Sequence, residues 1–494
     1  MYNLGYDLGS SSIKVALVSS KTGQRIDVIH EPEKEMEMLA LQNDWAEQDP
    51  DDWWKHICVA TKKILTKNNI DPSEIKGIGI SYQMHGLVLI DDAGQTIRNA
   101  IIWCDGRAVD IGNKAFDELG DSKCAEHLLN SPANFTASKL RWVKENEPAL
   151  FQKVYKAMLP GEYIAFKLSN RCVTTISGLS EGIFWDFKEE AIAQWLLDYY
   201  EINKQLLPDI APTFSNQGEV TKEASEATGL AIGTPILYRA GDQPNNALSL
   251  NVFNPGEIAA TGGTSGVIYA ITDNLSVKES SRVNNFAHVN YSKEHPFIGK
   301  LLCINGAGIM YRWLLNNLQV ESYEEMNELA EKIPVGSDGV TILPFGNGPE
   351  RMLENKNLGC IIGNLNLNKH SNAHLCRAAL EGIAFSFVYG MEILKSDGVR
   401  PSVIRAGNDN LFRSSIFSNT ITTLINFEIE IYNTTGAIGA ARACELVNGD
   451  YENFGNQIIN NDYIMSYSPQ EDKRDYKEAY LKWKKELETT LKNY

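Results

Sequence analysis

Apolar and polar positions alternate in short blocks along this chain, and the first block sets the theme. Asn3 to Leu8 and Ile13 to Val18 are apolar runs around Gly9, Ser10, Ser11 and Ser12, a spacing that predicts two strands joined by a turn. A turn needs small residues but has no use for an acid, so Asp7 requires another explanation. Gly77 to Tyr82 and Gly86 to Gly94 predict further strands, with Asp91 and Asp92 in a solvated turn. A helix is predicted over 49–65, with Pro50 near its start and Trp54, Ile57, Cys58, Thr61 and Leu65 on one face. Near the end, Ser468 and Glu471 predict a capping box with Pro469 at the first helical position. Tyr476, Ala479, Tyr480, Trp483, Leu487 and Leu491 then share a face, which is packing rather than chemistry. Strand-like and helix-like segments alternate throughout, so an α/β fold with buried sheets is expected.

The opening pattern returns at Glu257 to Ile271, where two apolar runs flank a second Gly/Ser/Thr turn. Two such hairpins near the starts of two similar halves predict duplicated domains facing a cleft. The 494 residues exceed what one core usually supports. We therefore expect domains over 1–246 and 247–494, with the boundary near Asn246.

Composition narrows the partners. Hydrophobic residues at 43% and charged residues at 22% are ordinary for a globular chain. A net charge of −17 argues against nucleic acid or an anionic membrane as partner. No apolar run is long enough to span a membrane and the N-terminus lacks a basic, apolar leader, so a cytoplasmic protein is expected. The 8 cysteines form no CxxC pair, which predicts reduced and mostly buried thiols.

Turns of small residues leave backbone N–H groups free to converge on an anion. Gly9, Ser10, Ser11 and Ser12 make one candidate nest, Gly263, Thr264 and Ser265 the other, and two nests across a cleft suit a polyphosphate. Asp7 would repel phosphate directly but can hold Mg²⁺ through water, and Lys14 adds a positive charge. The Walker pattern and a strand-linked GxGxxG are both absent. Asp242 follows a glycine at a predicted strand end just before the second nest. It is placed either to take a proton from an attacking hydroxyl or to cap a helix over 244–249.

These features, with Ser81 to Arg107 (SYQMHGLVLIDDAGQTIRNAIIWCDGR), resemble the FGGY carbohydrate kinases, and within them the xylulokinases. The likeness continues through EQDPDDWW, TASKLRWVKEN, LPGEYI, AGDQPNNA, GGTSG, LPFGNGPER and TTGAIGAA, over almost the whole chain. The resemblance implies two actin-like (RNase H-like) ATPase domains around a catalytic cleft, and a homodimer. It implies transfer of the ATP γ-phosphoryl group, with Mg²⁺, to the terminal hydroxyl of a ketopentose, first of all D-xylulose to D-xylulose 5-phosphate.

By position, Asp242 resembles the catalytic base and Asp7 the acid that organises Mg²⁺ and phosphate. Gly9, Ser10, Ser11, Ser12, Lys14, Gly263, Thr264, Ser265, Gly407 and Asn408 fall on the ATP side. Met84 and His85 match the pair that meets ketose, with Gln243, Asp105 and Arg107 also on the sugar side. Read without the family, His85 is a core histidine; for Asp105 and Arg107 an exposed ion pair is the alternative reading. One segment departs from the pattern: in Arg405 to Ser415, Arg405 and Ala406 replace two glycines and Asn408 to Asn410 a following triplet. A comparable RAG segment occurs in a subgroup, so nucleotide binding is still expected. The rival readings are another acceptor (ribulose, gluconate, glycerol or another polyol), a non-catalytic sugar sensor, and an actin-like or chaperone-type ATPase. QMHG disfavours glycerol, whose kinases carry an Arg-Glu pair there.

Overall fold

The computed structural model describes residues 1–408 and 410–494, with Asn410 by its backbone alone; the expected replacement at Asp409 and Asn410 lies outside the described residues. The first sheet contains β1 (Tyr2–Leu8), β2 (Ile13–Ser19), β3 (Arg25–Glu31), β4 (Ile75–Tyr82) and β5 (Ile236–Gly241). Their order is β5-β4-β1-β2-β3, an antiparallel meander with β4 and β5 added in parallel.

The second sheet contains β6 (Glu257–Gly262), β7 (Gly266–Thr272), β8 (Asn284–Ala287), β9 (Ile298–Ile304), β10 (Val403–Gly407), β11 (Ile429–Tyr432) and β12 (Tyr463–Tyr467). Its order is β8-β9-β7-β6-β10-β11-β12. Five of these, β11-β10-β6-β7-β9, repeat the order and directions of the first sheet. The repeated hairpin in the sequence is thus the start of a repeated topology. β1 is buried along nearly its whole length, as expected of a strand covered on both faces.

The helices that matter below are α1 (Pro50–Lys67), α2 (Thr136–Asn146), α3 (Ile176–Glu181), α4 (Asp242–Ser249), α5 (Gly308–Asn317), α6 (Asn372–Ser396), α7 (Gly436–Ala443) and α8 (Arg474–Asn493). α1 is capped by the Asp49 side chain, which accepts from Asp51 N, and buries Trp53, Ile57, Ala60, Thr61 and Ile64. The buried stripe is rotated from the expected one, leaving Trp54 and Cys58 on its flank. α8 buries Tyr480, Trp483 and Leu487, as the periodicity predicts, but begins at Arg474. The expected capping box does not form, because Gln470 N donates to Thr423 Oγ1 at 3.1 Å and Ser468 Oγ to Glu428 at 3.4 Å.

Two features join the halves of the chain. α7, late in the sequence, lies on the first sheet, and it does so because two sheet residues lack a Cβ. A Cβ on Gly5 would stand 1.9 Å from the Ala437 carbonyl oxygen, and one on Gly79 1.8 Å from that of Ala440. Buried Arg442 fastens α7 further, pairing with Asp462 and donating to the Gly23 carbonyl at 2.8 Å. At the other side, β8 docks onto the first half. Asn285 N donates to Asn130 Oδ1 at 2.9 Å, Ser177 Oγ to the Ala287 carbonyl at 3.0 Å, and Ala287 N to Ser180 Oγ at 2.9 Å. Asn246, the expected boundary, lies inside α4. Fewer thiols are buried than expected: Cys124, Cys376 and Cys444 are, whereas Cys104 and Cys360 are exposed. Among the described residues, no helix is long and apolar enough to cross a membrane.

Candidate active site

Register brings the first cluster together. β1, β4 and β5 run parallel, with Asp7 paired to Ser81 and Ser81 to Ala240, so Asp7, Ser81 and the start of α4 meet at one carboxyl edge of the sheet. Carboxyl edges of parallel strands are where open α/β sheets bind ligands. Ser81 Oγ donates to Asp7 Oδ1 at 3.0 Å, and Lys14, paired with Asp7 across the hairpin, reaches Oδ2 at 3.8 Å. Gly436, the first residue of α7, touches Asp7 so closely that a Cβ there would stand 2.9 Å from its Cγ. The helix therefore presents its partly positive N-terminus to that carboxylate. This answers what Asp7 faces. TTGAIGAA carried the resemblance, but its role against Asp7 was not legible in the sequence.

Asp242 is the first residue of α4, with Gly241 in the cap position, so it does not precede the helix as a simple cap would. Its carboxyl is pushed up to about 7, first by burial and then by the charge on Asp7, against hydrogen bonds from Gln243. The Gln243 side-chain oxygen is buried without a partner, an acceptor waiting for a hydroxyl. Among the described residues, no group of three or more His, Cys, Asp and Glu can hold a metal by itself. Asp7, an oxygen donor beside a phosphate nest, instead fits Mg²⁺, which keeps its waters and takes one or two carboxylates plus phosphate.

The first turn is held rather than loose. Gln48 Nε2 donates to the Ser10 carbonyl at 2.7 Å and Met36 N to the Ser11 carbonyl at 2.8 Å, while Gly9 N donates to the Ser12 carbonyl at 3.1 Å. Ser11 is exposed, and Ser10 and Ser12 are half-buried.

Met84 and His85 follow β4. Met84 is buried and packs on Gly241, where a Cβ would come within 2.6 Å of its Cγ and 2.4 Å of Glu181 Oε2. The Met84 turn thus sits directly against the Asp242 strand end. His85 stacks edge-on to Phe135 at 4.8 Å and lies 5.1 Å from Phe286, which β8 brings from the second half. Glu181, Lys139 and Phe286 were missed by sequence reasoning. Lys139 lies in a quoted motif without an assigned role, and nothing local marks Glu181 or Phe286.

Asp105 and Arg107 form neither an exposed pair nor a free sugar-binding pair. Both side chains are buried, at 0% and 1% exposure, and Arg107 donates to Asp105 through Nε at 2.8 Å and Nη2 at 2.6 Å. Asp105 also accepts from Ala46 N at 2.6 Å, and Arg107 pairs with Glu47 at 2.7 Å and lies 3.7 Å above the Trp45 ring. Asp105 and the Nε and Nη2 groups of Arg107 are committed to one another, whereas buried Nη1 lies by Glu47 without a well-directed hydrogen bond, so the pair builds the wall of the cleft.

The second turn rests on α5: Gly308 N donates to the Gly263 carbonyl at 3.2 Å and Ile309 N to that of Thr264 at 3.0 Å. A Cβ on Gly308 would stand 2.2 Å from the Gly263 oxygen, so the close approach demands glycine. Beside this turn opens a cavity lined by Gly263, Thr264, Tyr311, Arg312, Tyr323 and Ser414, among others. Tyr311 and Tyr323 stack at 5.6 Å. The cavity joins a candidate phosphate nest to aromatic faces, which fits a nucleotide, though neither tyrosine was singled out in the sequence. From the divergent segment it is Leu411 and Ser414 that line it. Gly407 ends β10 and Asn408 N donates to the Tyr432 carbonyl at 2.8 Å, outside that lining. Arg405 is spent elsewhere, paired with Glu430 at 2.8 Å and Glu257 at 3.6 Å.

Comparison with known proteins agrees with this geometry. The model of the FGGY family of carbohydrate kinases, N-terminal domain, matches residues 2–249, and that of its C-terminal domain matches 258–440. A xylulose kinase of Haemophilus influenzae is 27% identical, over 91% of each chain. One from Bacillus subtilis is 26% identical, over 100% of this chain and 99% of the relative. In fold, the chain matches xylulose kinase from Rhodospirillum rubrum with a TM-score of 0.88 at 23% identity, over 99% of both chains. It matches gluconate kinase from Lactobacillus acidophilus equally well, with a TM-score of 0.88 at 21% identity, over 99% of this chain and 98% of that one.

Proposed function

The chain belongs to the FGGY family of carbohydrate kinases, and we propose that it phosphorylates the terminal hydroxyl of a ketopentose, D-xylulose first, giving D-xylulose 5-phosphate. The observation that carries this reading is the Asp242 carboxyl, raised to about 7 at the edge where Asp7, Met84 and Gln243 also meet. A base whose pKa lies near the operating pH is suited to receive a proton without being permanently charged.

Bound Mg·ATP would supply the γ-phosphoryl group and the positive charge that offsets its transfer. Asp7, held by Ser81 and Lys14, would carry the hydrated ion, and Gly263, Thr264 and Ser265 would cradle phosphate opposite Ser10, Ser11 and Ser12; the Gly9 N–H, expected to be free, is spent on the Ser12 carbonyl. The sugar would lie against Met84 and His85, with the Gln243 carbonyl oxygen accepting from a hydroxyl. As the terminal oxygen forms its bond to phosphorus and the bond to the ADP oxygen breaks, Asp242 takes the hydroxyl proton. Phe286 and Phe135, packed on the His85 ring, would keep water from the sugar side, which matters because water is a competing acceptor.

The test is ADP release from purified protein with Mg·ATP against pentuloses, gluconate, glycerol and other polyols. Preference for D-xylulose is the expected result, and turnover of a different sugar moves only the acceptor. Silence across the panel, with nucleotide still bound, overturns catalysis in favour of a sensor. Asp242→Ala should abolish turnover and leave sugar binding largely intact; loss of both would make Asp242 structural.

A further inference from the structure

His85 occupies a backbone conformation that side chains rarely adopt, with φ at +59°. Three contacts converge to keep it there. Its N–H faces Glu181 Oε1 at 3.4 Å, its ring Nδ1 lies 2.9 Å from the Glu181 carbonyl, and its own carbonyl accepts from Lys139 Nζ at 2.9 Å. A carbonyl only accepts, so the ring proton sits on Nδ1 and Nε2 carries the lone pair. Burial and the Lys139 charge keep the ring neutral, its pKa held down to about 3. Among the described residues, no protein group bonds Nε2.

Lys139 is fully buried on α2 and gives its second hydrogen bond to the Ile102 carbonyl at 3.0 Å. One amino group thus bridges the turn after β4 and the segment entering Trp103 to Arg107. Burial penalises its charged form and pushes its pKa down to about 7, yet charged or neutral it has N–H donors for both carbonyls; an apolar chain would fill the same space without that cost. What an apolar chain would not do is fix the direction of the His85 peptide.

We propose that Lys139 is a positioning residue, whose amino group orients the His85 peptide so that the ring offers Nε2 to a sugar hydroxyl. This rests on the reading of His85 as a sugar contact given above.

The test is a double-mutant cycle with Lys139→Met and His85→Ala, read with the sugar that the wild type phosphorylates. Lys139→Met should raise the sugar KM about 10- to 100-fold and leave the ATP KM unchanged, since small misplacements at a reacting site carry penalties of this size. In the His85→Ala background the same substitution should add less than about 3-fold, because both act through one contact. Losses that multiply overturn the proposal. If Lys139→Met does not fold, Lys139→Gln, which keeps donors but loses reach, takes its place in the same cycle. Ring ¹⁵N spectra decide the matter without turnover: His85 should be a single Nδ1–H tautomer in the wild type and a mixture in Lys139→Gln. A tautomer unchanged by the substitution overturns the proposal. A wild type that phosphorylates no sugar would instead overturn the functional reading, while the spectra still decide the part of Lys139.

Discussion

The charge on Asp7 is felt at Asp242, and together with burial it holds that carboxyl near 7. A base accepts a proton only when ionised, so kcat/KM for the sugar should fall as pH drops below about 7 and level off above it. Asp7→Asn removes the like charge and favours the Asp242 carboxylate, so the acid limb of the residual activity should move to lower pH. A pH–rate profile of both proteins checks this; a limb that stays in place would assign it to another group.

Asp105 and Arg107 predict a stability effect rather than a specificity effect. Arg107→Ala takes the guanidinium from buried Asp105 and leaves it with the Ala46 N–H, while Glu47 keeps Arg98; removing one partner of such a buried pair costs about 3–5 kcal/mol. Denaturant unfolding should show that loss. A variant of wild-type stability with a raised sugar KM would return the pair to the sugar site.

On the nucleotide side, Tyr323 stacks on Tyr311 at the cavity beside Gly263 and Thr264. Tyr323→Ala should raise the ATP KM about tenfold, in line with the ~1–3 kcal/mol that aromatic–base stacking contributes elsewhere. The sugar KM should stay within error. Steady-state kinetics with each substrate varied in turn separates the two.

The approach of α7 to the first sheet makes Gly79→Ala a packing test. The added Cβ meets a main-chain oxygen at 1.8 Å, so α7 must shift, at a cost of about 1–3 kcal/mol for an overpacked site. The melting temperature should fall. Because Gly436 of the same helix touches Asp7, the Mg²⁺ dependence of activity should weaken with it. A lower melting point with unchanged Mg²⁺ dependence would separate the packing of α7 from its end at Asp7.

Much of this molecule was legible from spacing. The Leu8–Ile13 and Gly262–Gly266 turns, the acid at the end of β1 and the glycine before Asp242 are local signals, and register then assembles them. What stayed hidden depends on contacts distant in sequence. Phe286 reaches His85 because β8 docks on residues 130, 177 and 180 of the first half, Glu181 through the end of α3, and Gly436 through a helix that crosses back to the first sheet. Even the helix errors have this origin. Ser468 and Glu471 satisfy the local rule for a cap, but Thr423 claims the Gln470 N–H first, and the helix waits until Arg474. Asp105 and Arg107 look like surface charges in sequence because what buries them, the Trp45 ring on Arg107 and the Ala46 N–H on Asp105, lies in a different segment.

The bonds between β8 and residues 130, 177 and 180 act as a door frame. The wall bearing Phe286 is thereby fixed to the first half, on which His85 stands. Every bond in that frame comes from the chain itself, so the surroundings of His85 are assembled by folding rather than by the arrival of a ligand.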